Sequence, residues 1–221
     1  MKQRAVVYIK IAVWAVCLAP LAWLVIRALG IAGSLGANPV EEILNVCGKT
    51  GLNLLMLTLS ITPIRRSTGI NRLVAFRRLL GLFAFFYLVL HFSTYALLDL
   101  GLMWDTLLVD ITERPYITVG FTALMLLVPL AVTSTRGFQR RLGRRWVKLH
   151  RLIYVVGVLA VVHFWWQKKS DLDVAEPLLY AFLLAVLLGV RLRHYLIHAK
   201  TTMAPSYQRV EPPQAREKPS H

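Results

Sequence analysis

Residues 76–98 read FRRLLGLFAFFYLVLHFSTYALL: two arginines open an apolar run that contains no acidic residue and one imidazole, His91. A run of this length, coiled as a helix at about 1.5 Å per residue, crosses the hydrocarbon layer of a bilayer. An ionisable side chain there costs roughly 2.5 to 3.5 kcal/mol on the mild insertion scale, so it faces the bundle interior and serves a purpose. The fifth apolar segment of the chain repeats the feature with His150 and His163. Imidazoles held at matching depths on two helices are how a helical bundle grips a haem iron from both faces.

Composition sets the class around this segment. With 57% apolar residues, 17% charged residues and a mean hydropathy of +0.56 over 221 residues, the chain is too apolar for a soluble domain and reads as an all-α integral membrane protein. Six spans are expected at about 6–29, 39–64, 76–98, 115–135, 146–166 and 177–197. Asn38-Pro39 with Glu41 and Glu42, Arg114-Pro115 and Glu176-Pro177 supply helix entries. Pro129 predicts a kink whose freed carbonyl is to be satisfied by Thr133 or a neighbouring helix. The first apolar run follows Met1-Lys2-Gln3-Arg4 as a signal peptide would, but it is too long for a signal core and is taken as a span. Residues 1–198 thus form one six-helix domain, and the Pro-, Lys- and Arg-rich residues 199–221 read as a disordered tail.

Charge then orients the bundle. With the N terminus in the cytoplasm, 21 of the 26 Lys and Arg residues fall on the cytoplasmic side, which places both termini inside and makes the outer loops acidic. A formal net charge of +15 on a soluble domain would point to nucleic acid, but here it is spread over successive loops and marks topology and contact with anionic lipid. The outer loops hold nine of the eleven acidic residues, a face suited to steering a basic partner. In this frame His91 lies roughly 22 Å and His163 roughly 24 Å above the cytoplasmic edge, level with one another, while His150 lies about 20 Å below His163. Cys17 and Cys47 form no C-x-x-C-H attachment site, so any haem is held by coordination alone and is b-type.

Histidine spacing resembles the ferric reductase and NADPH oxidase superfamily, in which two haems lie between two helices. Position 77, where that pattern has a partner for His150, is Arg77, which leaves one haem or two open. Longer strings are more specific: Gly51-Leu52-Asn53 to Thr62-Pro63, Arg77-Arg78-Leu79-Leu80-Gly81 to His91-Phe92-Ser93-Thr94-Tyr95-Ala96, Arg114-Pro115-Tyr116, and Thr133-Ser134-Thr135 through Leu142-Gly143 to Trp146 and Leu149-His150. These are similar to the MsrQ (YedZ) family. The resemblance implies a six-helix, ferric reductase-like haem b subunit of a bacterial methionine sulfoxide reductase system in the inner membrane. It implies a bound FMN, electrons from the quinol pool or a cytoplasmic flavin reductase, and delivery to a periplasmic molybdenum-cofactor reductase. It carries cofactor roles onto His91, His150 and His163.

Independently of the resemblance, two imidazole ligands leave no open iron position and favour one-electron transfer, so a carrier rather than a catalytic subunit is expected. The chain holds no G-x-G-x-x-G turn between strand and helix and no soluble segment long enough to bind a nicotinamide. Arg77 and Arg78 suit haem propionates or a flavin phosphate, or serve as ordinary cytoplasmic markers. Gly81 and Gly157 are expected to permit helix packing, His194 and His198 to lie at a solvated helix end, and Trp104, Trp165 and Trp166 to anchor the outer interface. Thirteen residues of ideal helix turn His150 about 140° from His163, so a distortion near Gly157 or ligands on different sides are needed. Two other readings keep part of the pattern. A ferric reductase would act on outer iron, and a transporter would relay protons through its histidines without haem.

Overall fold

The computed structural model describes residues 3–168 and 174–203, with side chains for residues 7–168 and 174–197. Among them no β-strand occurs, and nine α-helices follow in order: α1 (Gln3–Ala28), α2 (Pro39–Thr68), α3 (Val74–Thr94), α4 (Trp104–Glu113), α5 (Pro115–Val132), α6 (Arg136–Leu142), α7 (Arg144–Leu149), α8 (Leu152–Gln167) and α9 (Ala175–Met203). Six stretches are long and apolar enough to cross a membrane: Val7–Ala28, Pro39–Thr68, Asn71–Asp99, Pro115–Val132, Arg144–Gln167 and Ala175–Ile197. They coincide with the six expected spans, and the chain is a multi-pass membrane protein. The last helix continues to Met203, so residues 199–203 of the expected tail are helical, and 204–221 lie outside the described residues. Lys169, Asp171 and Asp173 also lie outside them.

Local chemistry explains the central helix. The Asn38 side chain accepts from the Glu41 amide at 3.3 Å, Pro39 occupies the first turn, and Gly69 closes the far end at φ 71° with its amide on the Arg65 carbonyl at 2.9 Å. α2 packs closely on α3 because Gly51 carries no side chain: a Cβ there would lie 2.8 Å from Leu88. Leu55, Leu59, Ala84, Tyr87 and Val156 are sealed in the core that α2, α3 and α8 share. Gly81 faces Thr58, and Gly157 fits between Leu59 and Leu184, so both serve packing as expected.

Three elements escape the sequence pattern. A π-helical turn at Tyr95–Asp99 ends the third span, and α4 then lies between the third and fourth spans as a short separate helix. The fifth span is broken at His150–Arg151, where the Arg151 amide bonds back three residues to the Lys148 carbonyl. That tight turn, rather than Gly157, is where the helix departs from ideal rotation between His150 and His163. At the end of α5 the Thr133 hydroxyl donates to the Pro129 carbonyl at 2.6 Å, one turn beyond the Met125 carbonyl that the proline frees.

α1 is fastened by one side chain. The Tyr87 hydroxyl donates to the Cys17 carbonyl at 2.7 Å and accepts from the Leu21 amide at 3.2 Å, entering the α1 hydrogen-bond ladder beside Pro20. In the bilayer interior neither backbone group has water as a substitute. Tyr87→Phe is expected to destabilise the protein by about 1–3 kcal/mol, the cost of leaving buried groups unpaired. Thermal unfolding in detergent reads this, and an unchanged midpoint would show that α1 does not depend on the contact.

Candidate functional site

The site grows out of two helix pairs built alike. His91 on α3 places its Nδ1 2.9 Å from the Leu44 carbonyl of α2, and His163 on α8 places its Nδ1 2.7 Å from the Tyr116 carbonyl of α5. Each histidine follows its carbonyl partner by 47 residues. One turn beyond each carbonyl stands a glycine against which the ring rests. A Cβ on Gly48 would lie 3.0 Å from His91 Nδ1, and one on Gly120 only 2.6 Å from His163 Nδ1. The repeated unit is therefore a carbonyl, a glycine notch and an imidazole, once in each pair.

That unit decides the chemistry of the rings. A carbonyl takes only a donor, so Nδ1 carries the proton and Nε2 keeps its lone pair. Orienting the free nitrogen of a ligating histidine is what such an outer partner does. The two ring centroids stand 6.2 Å apart, with the planes at 81°. Two imidazoles sharing one metal, each about 2.0 Å from it and with about 1.1 Å from nitrogen to ring centre, place their centroids near this separation. The donor set and spacing fit the two axial positions of one haem iron.

Around the rings lies a cavity of about 270 Å³, lined on the apolar side by residues such as Leu52, Leu88, Leu124, Val156 and Phe164. Glu41 and Gln167 line it near the ends of their helices, with Asp99 at the close of the π-helical turn and Lys49 about three turns into α2. There Lys49 pairs with Glu176 at 2.7 Å, tying α2 to α9, and the Tyr180 hydroxyl donates to Asn53 at 2.7 Å. Tyr116 stacks on His163 with centroids 6.2 Å apart. Tyr95, another wall residue, donates to Asp110 of α4, whose buried carboxylate also pairs with Arg114 at 2.9 Å. α4 is thus pinned over the third span by the π-helical turn that presents Tyr95.

His150 does not join this pair. By helix rise it lies about 20 Å from His163. Its ring stacks on Trp146 with centroids 3.9 Å apart. Both ring nitrogens are sealed from solvent without a well-formed hydrogen bond, the Trp146 and Leu130 backbones being only weak polar neighbours. Arg77 is half-buried and close enough to act electrostatically on His150, whereas Arg78 is exposed and has no hydrogen bond or ion pair among the described residues. His194 is half-buried and the side chain of His198 lies outside the described residues. Trp104, Trp165 and Trp166 are exposed at the outer helix ends, where anchors belong.

Sequence reasoning missed Leu44, Gly48, Tyr116 and Gly120, because backbone acceptors leave no residue signature and glycines in membrane helices are common. The signal available was the equal interval from each glycine to its histidine in the two pairs.

Known proteins are similar to this chain in sequence. The family model described as "Ferric reductase like transmembrane component" matches residues 47–161, which include His91 and His150 and stop just short of His163. A protein of Xanthomonas campestris pv. campestris (strain 8004) named "Protein-methionine-sulfoxide reductase heme-binding subunit MsrQ" is 50% identical over 205 residues, covering 91% of this chain and 93% of its own. Identically named proteins of Xanthomonas oryzae pv. oryzae (strain MAFF 311018) and Ralstonia nicotianae are 48% identical over 217 residues (96% and 97% covered) and 50% identical over 184 (83% and 84%). No solved structure matches the chain. With a family model spanning half of it and relatives alike over nearly their whole length, the chain belongs to the MsrQ family of ferric reductase-like transmembrane proteins.

Proposed function

We propose that the chain is the haem b electron-transfer subunit of a protein-methionine-sulfoxide reductase, with His91 and His163 as axial ligands and no catalytic residues of its own. The observation that carries this reading is the pair of imidazoles facing one cavity 6.2 Å apart, each with Nδ1 committed to a carbonyl. A b-haem held by two imidazoles supplies a one-electron couple with no open coordination position. The carbonyls of Leu44 and Tyr116 keep the free Nε2 of each ring available, Gly48 and Gly120 let the rings lie against the helix backbones, and the apolar walls exclude water. Relatives named as heme-binding subunits of a methionine-sulfoxide reductase support both the cofactor and the partner system.

The finer reading follows topology. The cavity opens among outer residues, so electrons leave toward a periplasmic reductase, proposed to carry a molybdenum cofactor and to repair oxidised methionine in proteins. His150 and Arg77 lie toward the cytoplasmic side, where a second haem or FMN would receive electrons from quinol or a cytoplasmic flavin reductase. Arg78 has a role there only if a ligand reaches it. The concentration of Lys and Arg on one side supports both termini being cytoplasmic, and relatives named as subunits of a bacterial reductase support a bacterial inner membrane. Docking by an acidic outer face is weakened by the fold itself: Glu42 pairs with Arg27, Glu176 with Lys49 and Asp110 with Arg114.

Three readings on the purified protein test the proposal: reduced-minus-oxidised absorbance, haem per polypeptide, and flavin released on denaturation. One b-haem with flavin is the expected result for an outer haem and an inner flavin; two haems without flavin assign His150 to a second haem. A colourless protein after expression with ample haem overturns the reading in favour of a proton-relaying transporter. Rapid reduction of ferric chelates by the isolated chain would instead assign a ferric reductase.

A further inference from the structure

The two histidine-bearing helix pairs meet around the cavity, and one buried carboxylate joins them across its rim. Within the pairs α2 packs extensively on α3 and α5 on α8, whereas α3 meets α5 over a much smaller contact. Asp110 of α4 is the only acidic side chain buried among the described residues. It accepts from the Tyr95 hydroxyl, one turn beyond His91, and pairs with Arg114 Nε at 2.9 Å. The Arg114 amide donates to the Asp110 carbonyl at 3.1 Å, and its side chain lies within hydrogen-bonding reach of the Tyr116 side chain. A further bond from the Thr118 hydroxyl to the Ile111 carbonyl, at 2.6 Å, ties α5 to α4. Tyr116 is the residue whose carbonyl holds His163 Nδ1 and whose ring stacks on that imidazole. A single side chain on α4 therefore reaches both imidazoles: His91 through Tyr95, and His163 through Arg114 and Tyr116.

The backbone is bent to make this contact. Tyr95 opens the π-helical turn, and Leu102, which is not a glycine, takes φ 61° between that turn and α4. Such conformations cost energy that the surrounding contacts offset, and they gather where a side chain has to be presented at one place. Burying a carboxylate is costly too unless it is paired and hydrogen-bonded, as Asp110 is. We propose that Asp110 is a positioning residue for the haem ligands: by holding Tyr95 and Arg114 together it fixes α5 relative to α3, and with it the 81° angle between the His91 and His163 planes. The inference rests on the reading of those histidines as axial ligands. Outer contacts of this kind orient the ligands and tune the iron. The angle between two axial imidazoles sets the splitting of the iron d orbitals, so electron paramagnetic resonance of the ferric haem reads it.

The full chain in nanodiscs is compared as wild type, Asp110→Ala, Asp110→Asn, Tyr95→Phe, the double variant Asp110→Ala with Tyr95→Phe, and Asp105→Asn. Asp110→Ala is expected to shift and broaden the g values of the ferric haem and to speed haem loss to apomyoglobin about tenfold. Asp110→Asn, which can still accept from Tyr95 but loses the ion pair, is intermediate. Tyr95→Phe moves the signal in the same direction, and the double variant goes no further than Asp110→Ala because both act through one contact. Asp105→Asn, an exposed position on the same helix, keeps the wild-type signal. Native g values in both Asp110→Ala and Tyr95→Phe overturn the proposal. So does an equal shift in Asp105→Asn, which would trace the effect to nearby charge, and so does faster haem loss with an unmoved signal, which marks a structural role alone. Should Asp110→Ala not fold, Tyr95→Phe, which removes one oxygen, decides. A wild type without haem overturns the proposed function and this inference together, whereas a haem-loaded wild type whose signal the variants leave unmoved overturns this inference alone.

Discussion

His91→Ala and His163→Ala each remove the same low-spin haem signal, leaving less than roughly a tenth of the haem per polypeptide. The effect is large because the site has two ligands and no substitute: no other described histidine shares the cavity. Truncation also leaves the Leu44 or Tyr116 carbonyl facing an apolar hole instead of a donor. His150→Ala is expected to keep the signal, since its ring stacks on Trp146 about 20 Å from His163. Membrane insertion, checked by yield and size-exclusion profile, is unaffected in all three. If His91→Ala and His163→Ala both keep the native spectrum, the ligand assignment is wrong.

Gly120→Ala adds a single methyl group and is expected to weaken haem retention by about 10- to 100-fold, the usual cost of disturbing a ligand's outer partner. The added carbon would lie 2.6 Å from His163 Nδ1 and 2.8 Å from Cε1, distances at which the ring must move. Moving it breaks the 2.7 Å contact to the Tyr116 carbonyl and frees the ring to rotate. Gly48→Ala meets His91 at 3.0 Å and should cost less, while Gly189→Ala on α9 meets nothing within 4 Å and should be silent. The order of the three is the test, read as haem retained after detergent washing and as broadening of the ligand-sensitive bands. Equal retention in Gly120→Ala and Gly189→Ala would mean that the notch does not position the imidazole.

Much of this molecule was legible in one dimension. Six apolar runs and their caps settle the spans, because transfer into a bilayer depends on local composition and helix rise is constant. The same two facts put His91 and His163 at one depth. Direction around the helix axis was another matter. The 140° offset between His150 and His163 is a property of an ideal helix, and the actual chain tightens at His150–Arg151 through a hydrogen bond that no residue type announces. Depth alone set His150 apart from the pair, and what the sequence left open was whether His150 serves a second haem.

Partners distant in the chain were not legible either. The carbonyls of Leu44 and Tyr116, the Tyr87 hydroxyl in the ladder of α1 and the Arg191 guanidinium on the Leu59 carbonyl depend on which helices touch and at what rotation. Arginine at a helix end on the basic side of the bundle is also what the positive-inside pattern alone would give, so Arg77, Arg78 and Arg191 look equivalent in sequence. Packing separates them: Arg191 is drawn under Tyr154, Arg77 is half-buried toward His150, and Arg78 stays exposed. The sequence by itself determined the number and order of the spans, since both follow from hydropathy read along the chain. Only the tertiary structure decided which nitrogen of each imidazole is free, which glycine makes room for it and which arginine is drawn under Tyr154, because those depend on contacts between helices.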